Sequence, residues 1–149
     1  IFMAIEEFQT SLPMMLIRAL DHIMPKFRTI FKQFGITEQQ ARVVRILWQY
    51  KKVSFTELSS LTLISPPSLV GIVDRMAEND LVVRTISDID RRIIIISLTN
   101  KGEVLESQII PKVEAVYDEI ESSMGTKDLN ETLTLLSKLS SIHEQKEIK

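Results

Sequence analysis

The sequence has no cysteine, which removes disulfides, thiolate nucleophiles and zinc-thiolate sites together. No apolar run approaches the ~18 residues needed to cross a bilayer, so the chain reads as soluble and cytoplasmic, without a membrane partner. Ile1-Phe2-Met3 lacks the basic flank and apolar stretch of a secretory signal, and Met3 is the expected natural start. Glycine is scarce, with four residues at 35, 71, 102 and 125; three of them punctuate helices. There is no internal repeat, low-complexity tract or Gly/Ser linker. His-carboxylate constellations, metal-ligand spacings and Gly-rich phosphate loops are also missing, which argues against an enzyme and against a cofactor or metal. His22 and His143 fall on different elements without supporting acids and read as surface residues.

What remains is a chain of 149 residues, a length that buries roughly 70% of its unfolded surface and supports one domain. Net charge is −2, which gives no global support for a polyanionic partner. Its distribution is more informative. Residues 1–35 carry +1, residues 36–100 carry +1 and residues 101–149 carry −4. The acidic excess is confined to the C-terminal part, and the middle is free to approach phosphates.

Hydrophobic spacing predicts a helix over 12–33, with Pro13 in its first turn and Met15, Leu16, Ala19, Ile23, Phe27 and Phe31 on a broad apolar face. Pro25 falls inside this pattern and predicts a kink. Thr37 with Gln40 forms a capping box ahead of a second helix over 38–50, with Ala41, Val44, Leu47 and Trp48 at helical spacing. Lys51 to Phe55 is read as extended. Thr56 is expected to cap a short third helix that buries Leu58 and Leu61. Ser65 is expected to cap a fourth helix to about Asn79, since Pro66 and Pro67 fit only a first turn. Leu69, Ile72, Val73 and Met76 form its buried side. The β-branched runs Leu81–Ile86 and Ile93–Leu98 enclose a charged tip and predict a hairpin. Thr99 then caps a fifth helix to about Ser123, bent near Pro111, and a sixth runs from about 127 to 145. Two short helices followed at once by a hairpin is a helix-turn-helix with a wing.

From Ile36 to Gly102 the sequence resembles the MarR family of transcriptional regulators. ITEQQARVVRIL is similar to that family's second helix, FTELSSLTLISPPSLVGIVDRM to its helix-turn-helix, and LVVRTISDIDRRIIIISLTNKG to its wing. Asp90-x-Arg92 followed by Leu98-Thr99-x-x-Gly102 is the most specific signature. The fold class implied is mainly α with a small β-hairpin wing. A winged helix-turn-helix lobe spans 36–100, and long dimerisation helices at 1–35 and 101–149 complete a single domain, 1–149. ITEQQ, Pro67-Ser68-Leu69-x-Gly71 and LPMMLIRALDHIMPKFR resemble most the branch that regulates homoprotocatechuate (hydroxyphenylacetate) degradation, which senses aromatic carboxylates. The resemblance implies a homodimer on a palindromic double-stranded DNA operator, with a small aromatic carboxylate as effector. The chain departs from that pattern at Pro66, where the branch has Arg; at Asp80, where most members have Gly; at Leu63, a small turn residue elsewhere; and at Ala41, where the aromatic-acid sensors have Trp.

The residues themselves agree with this reading. The DNA-binding candidates are Ser65, Pro66, Pro67, Ser68, Val70, Gly71, Asp74 and Arg75 on the fourth helix, with Arg91 and Arg92 on the wing. Ser68 and Gly71 add little bulk to a helix entering the major groove, and Val70 suits a thymine methyl. Free N–H groups at the helix start favour a phosphate. An Arg on a thin loop suits a narrow A·T-rich minor groove; by the resemblance Arg92 is inserted, steered by Asp90. Arg75 is read alternatively as a solvated helix charge, and Arg91 and Arg92 as edge charges that prevent aggregation. The effector pocket implied by the resemblance comprises Ser11 (own or partner chain), Met24, Phe27, Phe31, Ala41, Arg45 and Tyr117. Arg45 would take the carboxylate bidentately. A salt bridge from Arg45 to a fifth-helix acid such as Asp118 is the alternative, and the Met and Phe stripe is read alternatively as core or dimer interface. Met15, Ile109, Val113, Leu133, Leu136 and Leu139 are candidates for that interface. A winged-helix module that binds protein and never touches DNA is the competing function.

Overall fold

The computed structural model describes residues 8–142. After a short 3-10 turn at Phe8–Thr10 the elements are α1 (Leu12–Gln33), α2 (Glu38–Tyr50), β1 (Lys52–Ser54), α3 (Phe55–Thr62), α4 (Pro66–Glu78), β2 (Val82–Ile86), β3 (Ile94–Leu98), α5 (Asn100–Met124) and α6 (Thr126–Ser140). α1 runs unbroken through Pro25. The expected end of the sixth helix at 145, and His143, lie outside the described residues. Two compact units divide at Pro111, inside α5; the sequence places its lobe boundary earlier, at residue 100. No helix among the described residues is long and apolar enough to cross a membrane.

The first unit owes its shape to α2, α3 and α4 packed against a small antiparallel sheet of order β1-β3-β2. Val43, Val44 and Leu47 of α2, Leu58 of α3, Leu69, Ile72, Val73 and Met76 of α4, and Ile96 of β3 are buried together. Each such side chain contributes about 1.5–3 kcal/mol when fully buried. Val53 faces Ile96 across the β1–β3 ladder, and Arg84 faces Ile96 across β2–β3. The stretch read as merely extended is therefore the third strand of the wing sheet.

Three local expectations change. The cap of α3 is Ser54, not Thr56: Ser54 Oγ accepts from the Glu57 N–H while the Glu57 carboxylate accepts from the Ser54 N–H, so this S-x-x-E box starts the helix two residues early. Leu61 is exposed, and Thr62 is buried in its place. The buried row of so short a helix runs from Leu58 to Thr62, whose hydroxyl donates to the Leu58 carbonyl and so enters the core satisfied. Trp48 is also exposed, with the Lys51 ammonium 5.1 Å from its ring centroid.

The join between α4, the wing and α5 is tight. Asp80 takes the left-handed conformation (φ 59°) that a Gly would supply. Thr99 caps α5 by accepting from the Gly102 N–H and donating to the Asp80 carbonyl. A Cβ on Gly102 would stand 2.4 Å from the Leu81 carbonyl oxygen and 2.9 Å from Leu98 Cδ2. Gly102 therefore does not interrupt a helix. It lets the first turn of α5 close on the base of the wing.

In the second unit α6 has no buried residue, and Leu133, Leu135 and Leu136 stand exposed. An apolar stripe left open on a helix demands a partner surface. Ile109 and Val113, by contrast, are already buried within the single chain. They have little area left to lose and drop out as interface anchors, whereas Met15, Leu133 and Leu136 retain exposed surface.

Candidate nucleic-acid interface and effector site

α4 presents a continuous outward face. Ser65, Pro66, Pro67, Ser68, Val70 and Arg75 are exposed, with Gly71 and Asp74 half-buried beside them. Ser65 occupies the N-cap position but does not cap the helix; its hydroxyl bonds the Ser68 hydroxyl at 3.1 Å. The expectation of several free N–H groups for a phosphate also fails, because Pro66 and Pro67 have no N–H to offer. What the start of α4 offers is a small, uncharged, pre-shaped surface. Arg75 lies over Gly71, its Nη1 3.5 Å from where a Cβ would stand.

Asp74 is engaged by a residue that sequence reasoning missed. Arg84 of β2 forms an ion pair with it, tying the wing to α4. The pair neutralises the acid on a face otherwise suited to phosphates and links α4 to the wing sheet. An Arg on a β2 face directed at the preceding helix was the signal available.

At the wing tip the turn from Ser87 to Ile93 closes through the Ser87 N–H to the Ile93 carbonyl and the Ile93 N–H to the Asp90 carbonyl. Asp90 grips Arg92 three times: Oδ1 accepts from the Arg92 backbone N–H (3.0 Å) and from Nε (3.1 Å), and Oδ2 accepts from Nη2 (2.9 Å). These bonds hold the Asp90 carboxyl below its ordinary range and keep the guanidinium charged. The Arg92 side chain remains 90% exposed. A charged fork is thus held by its own loop while exposed to solvent. Arg91 beside it is exposed.

The effector candidates divide by place. Ala41 and Arg45 lie one turn apart on α2, and Met24, Phe27 and Phe31 lie half-buried on α1, which packs on α2. Ser11 precedes α1, twenty residues before Phe31, which is about 30 Å along a helix. It cannot share one small pocket with Phe31 of its own chain. Tyr117 belongs to the second unit and is exposed. Arg45 is met by an acid of α5, as the salt-bridge alternative anticipates, but the acid is Glu106 and not Asp118: Arg45 Nε lies 2.5 Å from Glu106 Oε1. Glu106 is 1% exposed, and burial pushes its carboxyl up while Arg45 pulls the other way. Glu106 stands on the row Gly102, Glu106, Ile109, whose members are buried, and an acid at that spacing was its sequence signal. Separately, a cleft of about 360 Å³ opens between the α1–α2 turn, the end of α4 and the start of α5, lined by Gly35, Ile36, Gln40, Leu81, Lys101 and Val104 among others. It contains none of the effector candidates.

With this geometry in place, comparison with known proteins gives the family. The MarR family model matches residues 36–94. The chain is 36% identical over 126 residues to the homoprotocatechuate degradative operon repressor of Escherichia coli, covering 85% of each. It superposes on NadR in complex with 4-hydroxyphenylacetate with a TM-score of 0.80 and 36% identity, covering 89% of this chain and 94% of that one. It superposes on the transcriptional repressor CouR, bound to a 23-mer DNA duplex, with a TM-score of 0.83 and 25% identity, covering 90% and 95%. Helix-turn-helix, wing and relatives agree, and the chain belongs to the MarR family.

Proposed function

We propose that this chain is a cytoplasmic, homodimeric repressor that holds a palindromic DNA operator and releases it when a small aromatic carboxylate binds, and that it catalyses no reaction and uses no cofactor. The observation that carries the DNA reading is Arg92, presented at the wing tip by Asp90, beside an α4 face whose acid is already neutralised. Ser68, Val70 and Gly71 are assigned to the major groove, Arg91 and Arg92 to the adjacent minor groove, and Arg75 to phosphate. The proposed domain is 1–149, with the lobe 36–100 carrying DNA and the flanking helices carrying the dimer.

The open stripe of α6 supports dimerisation, and an interface above ~2,000 Å² in total is expected. Light scattering at micromolar concentration should return twice the 17.1 kDa chain mass; a monomer would reject the dimer. Arg75→Ala should weaken binding about equally on all sequences and reduce the slope of log K against log salt by ~1. An unchanged slope would remove Arg75 from the phosphate contacts.

For the effector, the NadR complex with 4-hydroxyphenylacetate and the homoprotocatechuate repressor support an aromatic acid. Arg45 is proposed as its anchor, with Met24, Phe27 and Phe31 as walls and Ser11 supplied by a second copy. Ala41 leaves a wider cavity than a Trp would, suited to a bulkier acid. Releasing DNA requires the ligand to favour the non-binding state, by about 1.4 kcal/mol per tenfold effect. Anisotropy titration of operator DNA with and without 4-hydroxyphenylacetate or salicylate tests the proposal. The acid should weaken binding by the parent and not by Arg45→Ala; equal responses would exclude Arg45 as anchor.

A further inference from the structure

Among the described residues, Glu106 is the one charged residue with a fully buried side chain. Its Oε1 lies 2.5 Å from Arg45 Nε, so a buried carboxylate depends on a single guanidinium for its counter-charge. Arg45, 43% exposed at its side chain, bridges this interior acid to solvent. The charges around the pair are otherwise committed. Arg42, on the same helix, gives Nη1 to the Thr62 carbonyl and pairs with Glu38. Glu103, one turn before Glu106 on α5, pairs with Lys51 at the end of α2. Arg45 is therefore the charge acting on Glu106 among the described residues.

We propose that Glu106 takes up a proton when an effector carboxylate binds Arg45, making it a specificity-determining residue of that site. This rests on the reading of Arg45 as carboxylate anchor. Two geometries lead to the same result. If the effector shares the guanidinium, two carboxylates crowd one cation and protonating one of them relieves their repulsion. If the effector draws Arg45 outward, Glu106 is left as a buried anion without its counter-ion, and protonation relieves it. In either case the proton leaves solvent or buffer and lands on a Glu106 oxygen, and the O–H so formed is a donor. It is directed at the effector carboxylate or at a neighbouring acceptor. Burial already shifts the free carboxyl toward the neutral form against the pull of Arg45, which lowers the added cost of protonation. The sign follows from linkage. The bound state holds more protons than the free state, so affinity rises as pH falls, by up to roughly tenfold per pH unit between the free and bound titration points of Glu106. A neutral amide or alcohol in place of the acid has no such dependence.

Calorimetric titration of the full-length protein with 4-hydroxyphenylacetate, between pH 5.5 and 8 in buffers of differing ionisation heat, tests this directly. The parent should take up close to one proton per bound ligand and lose affinity as pH rises. Glu106→Gln, isosteric and always neutral, should bind with no proton uptake and a flat pH profile. The proton count of the parent needs no variant, so a poorly folded Gln protein leaves the test intact. Binding by the parent without proton uptake, or an unchanged pH slope in Glu106→Gln, would overturn the inference while leaving Arg45 as anchor. Absence of binding to both proteins across this range would overturn the anchor and the proton coupling together.

Discussion

Arg92→Ala should lower affinity for an A·T-rich operator by roughly tenfold to a hundredfold, corresponding to about 1–3 kcal/mol. The loss should be selective. A guanidinium in a narrow minor groove exploits the enhanced negative potential of A·T tracts, so the variant should also discriminate less between A·T and G·C pairs at the positions under the wing. The size of the effect depends on preorganisation. Asp90 holds the guanidinium through Nε and Nη2 and also holds the Arg92 backbone, so the side chain loses little rotamer freedom on binding. Asp90→Ala should therefore weaken binding less than Arg92→Ala, by loosening the fork without deleting it. Anisotropy titrations on duplexes differing only at the minor-groove positions read both effects. If Arg92→Ala bound every duplex like the parent, the wing would not be the minor-groove reader.

Gly102→Ala should destabilise the fold by about 1–3 kcal/mol, as overpacking does. For a chain of this size that is a fall of roughly 3–12 °C in Tm. The new methyl would meet the backbone oxygen of Leu81 at 2.4 Å, and that oxygen cannot turn aside, because it accepts the Thr99 N–H that starts α5. Gly71→Ala is the matched control. Its methyl would find only the end of Arg75 at 3.5 Å, and a mid-helix Gly-to-Ala exchange favours the helix by up to ~1 kcal/mol. It should raise or preserve Tm while weakening DNA binding, since it adds bulk to the face assigned to the major groove. Thermal unfolding and anisotropy on the two variants separate a packing glycine from a docking glycine. Equal Tm values for Gly102→Ala and the parent would contradict the tight join described here.

Much of this was legible in the sequence because the signals are local. The Thr37/Gln40 box, the double proline of α4 and the row Leu69, Ile72, Val73, Met76 each specify an element within a turn, and the α4 start and burial follow them. The order of short helices and hairpin gave the winged architecture. Where the structure differs from the local pattern, a second local signal or a distant partner decides. Ser54-x-x-Glu57 outranked Thr56 as the cap because it satisfies two donors reciprocally. Leu61 and Thr62 exchanged places because a hydroxyl can be buried when the preceding turn accepts its hydrogen. The candidate site was legible in its exposed residues and not in its pairings. Strand alternation puts Arg84 on the β2 face directed at α4, but nothing in the chain names Asp74 as its partner, or joins Arg45 to Glu106 across two helices. Tertiary packing decides such pairs, and periodicity shows only that an acid stands in a buried row.

The central claim is that two copies of this chain read one duplex symmetrically through α4 and the wing. Footprinting with hydroxyl radicals on a duplex selected from a random pool by the full-length protein tests it most directly. The expected result is two symmetric protected half-sites about one helical turn, roughly 10 bp, apart or a small multiple of it, with A·T-rich minor-groove protection that disappears in Arg92→Ala. A pool that yields no enriched sequence, or a single unpaired footprint indifferent to Arg92, would contradict the account.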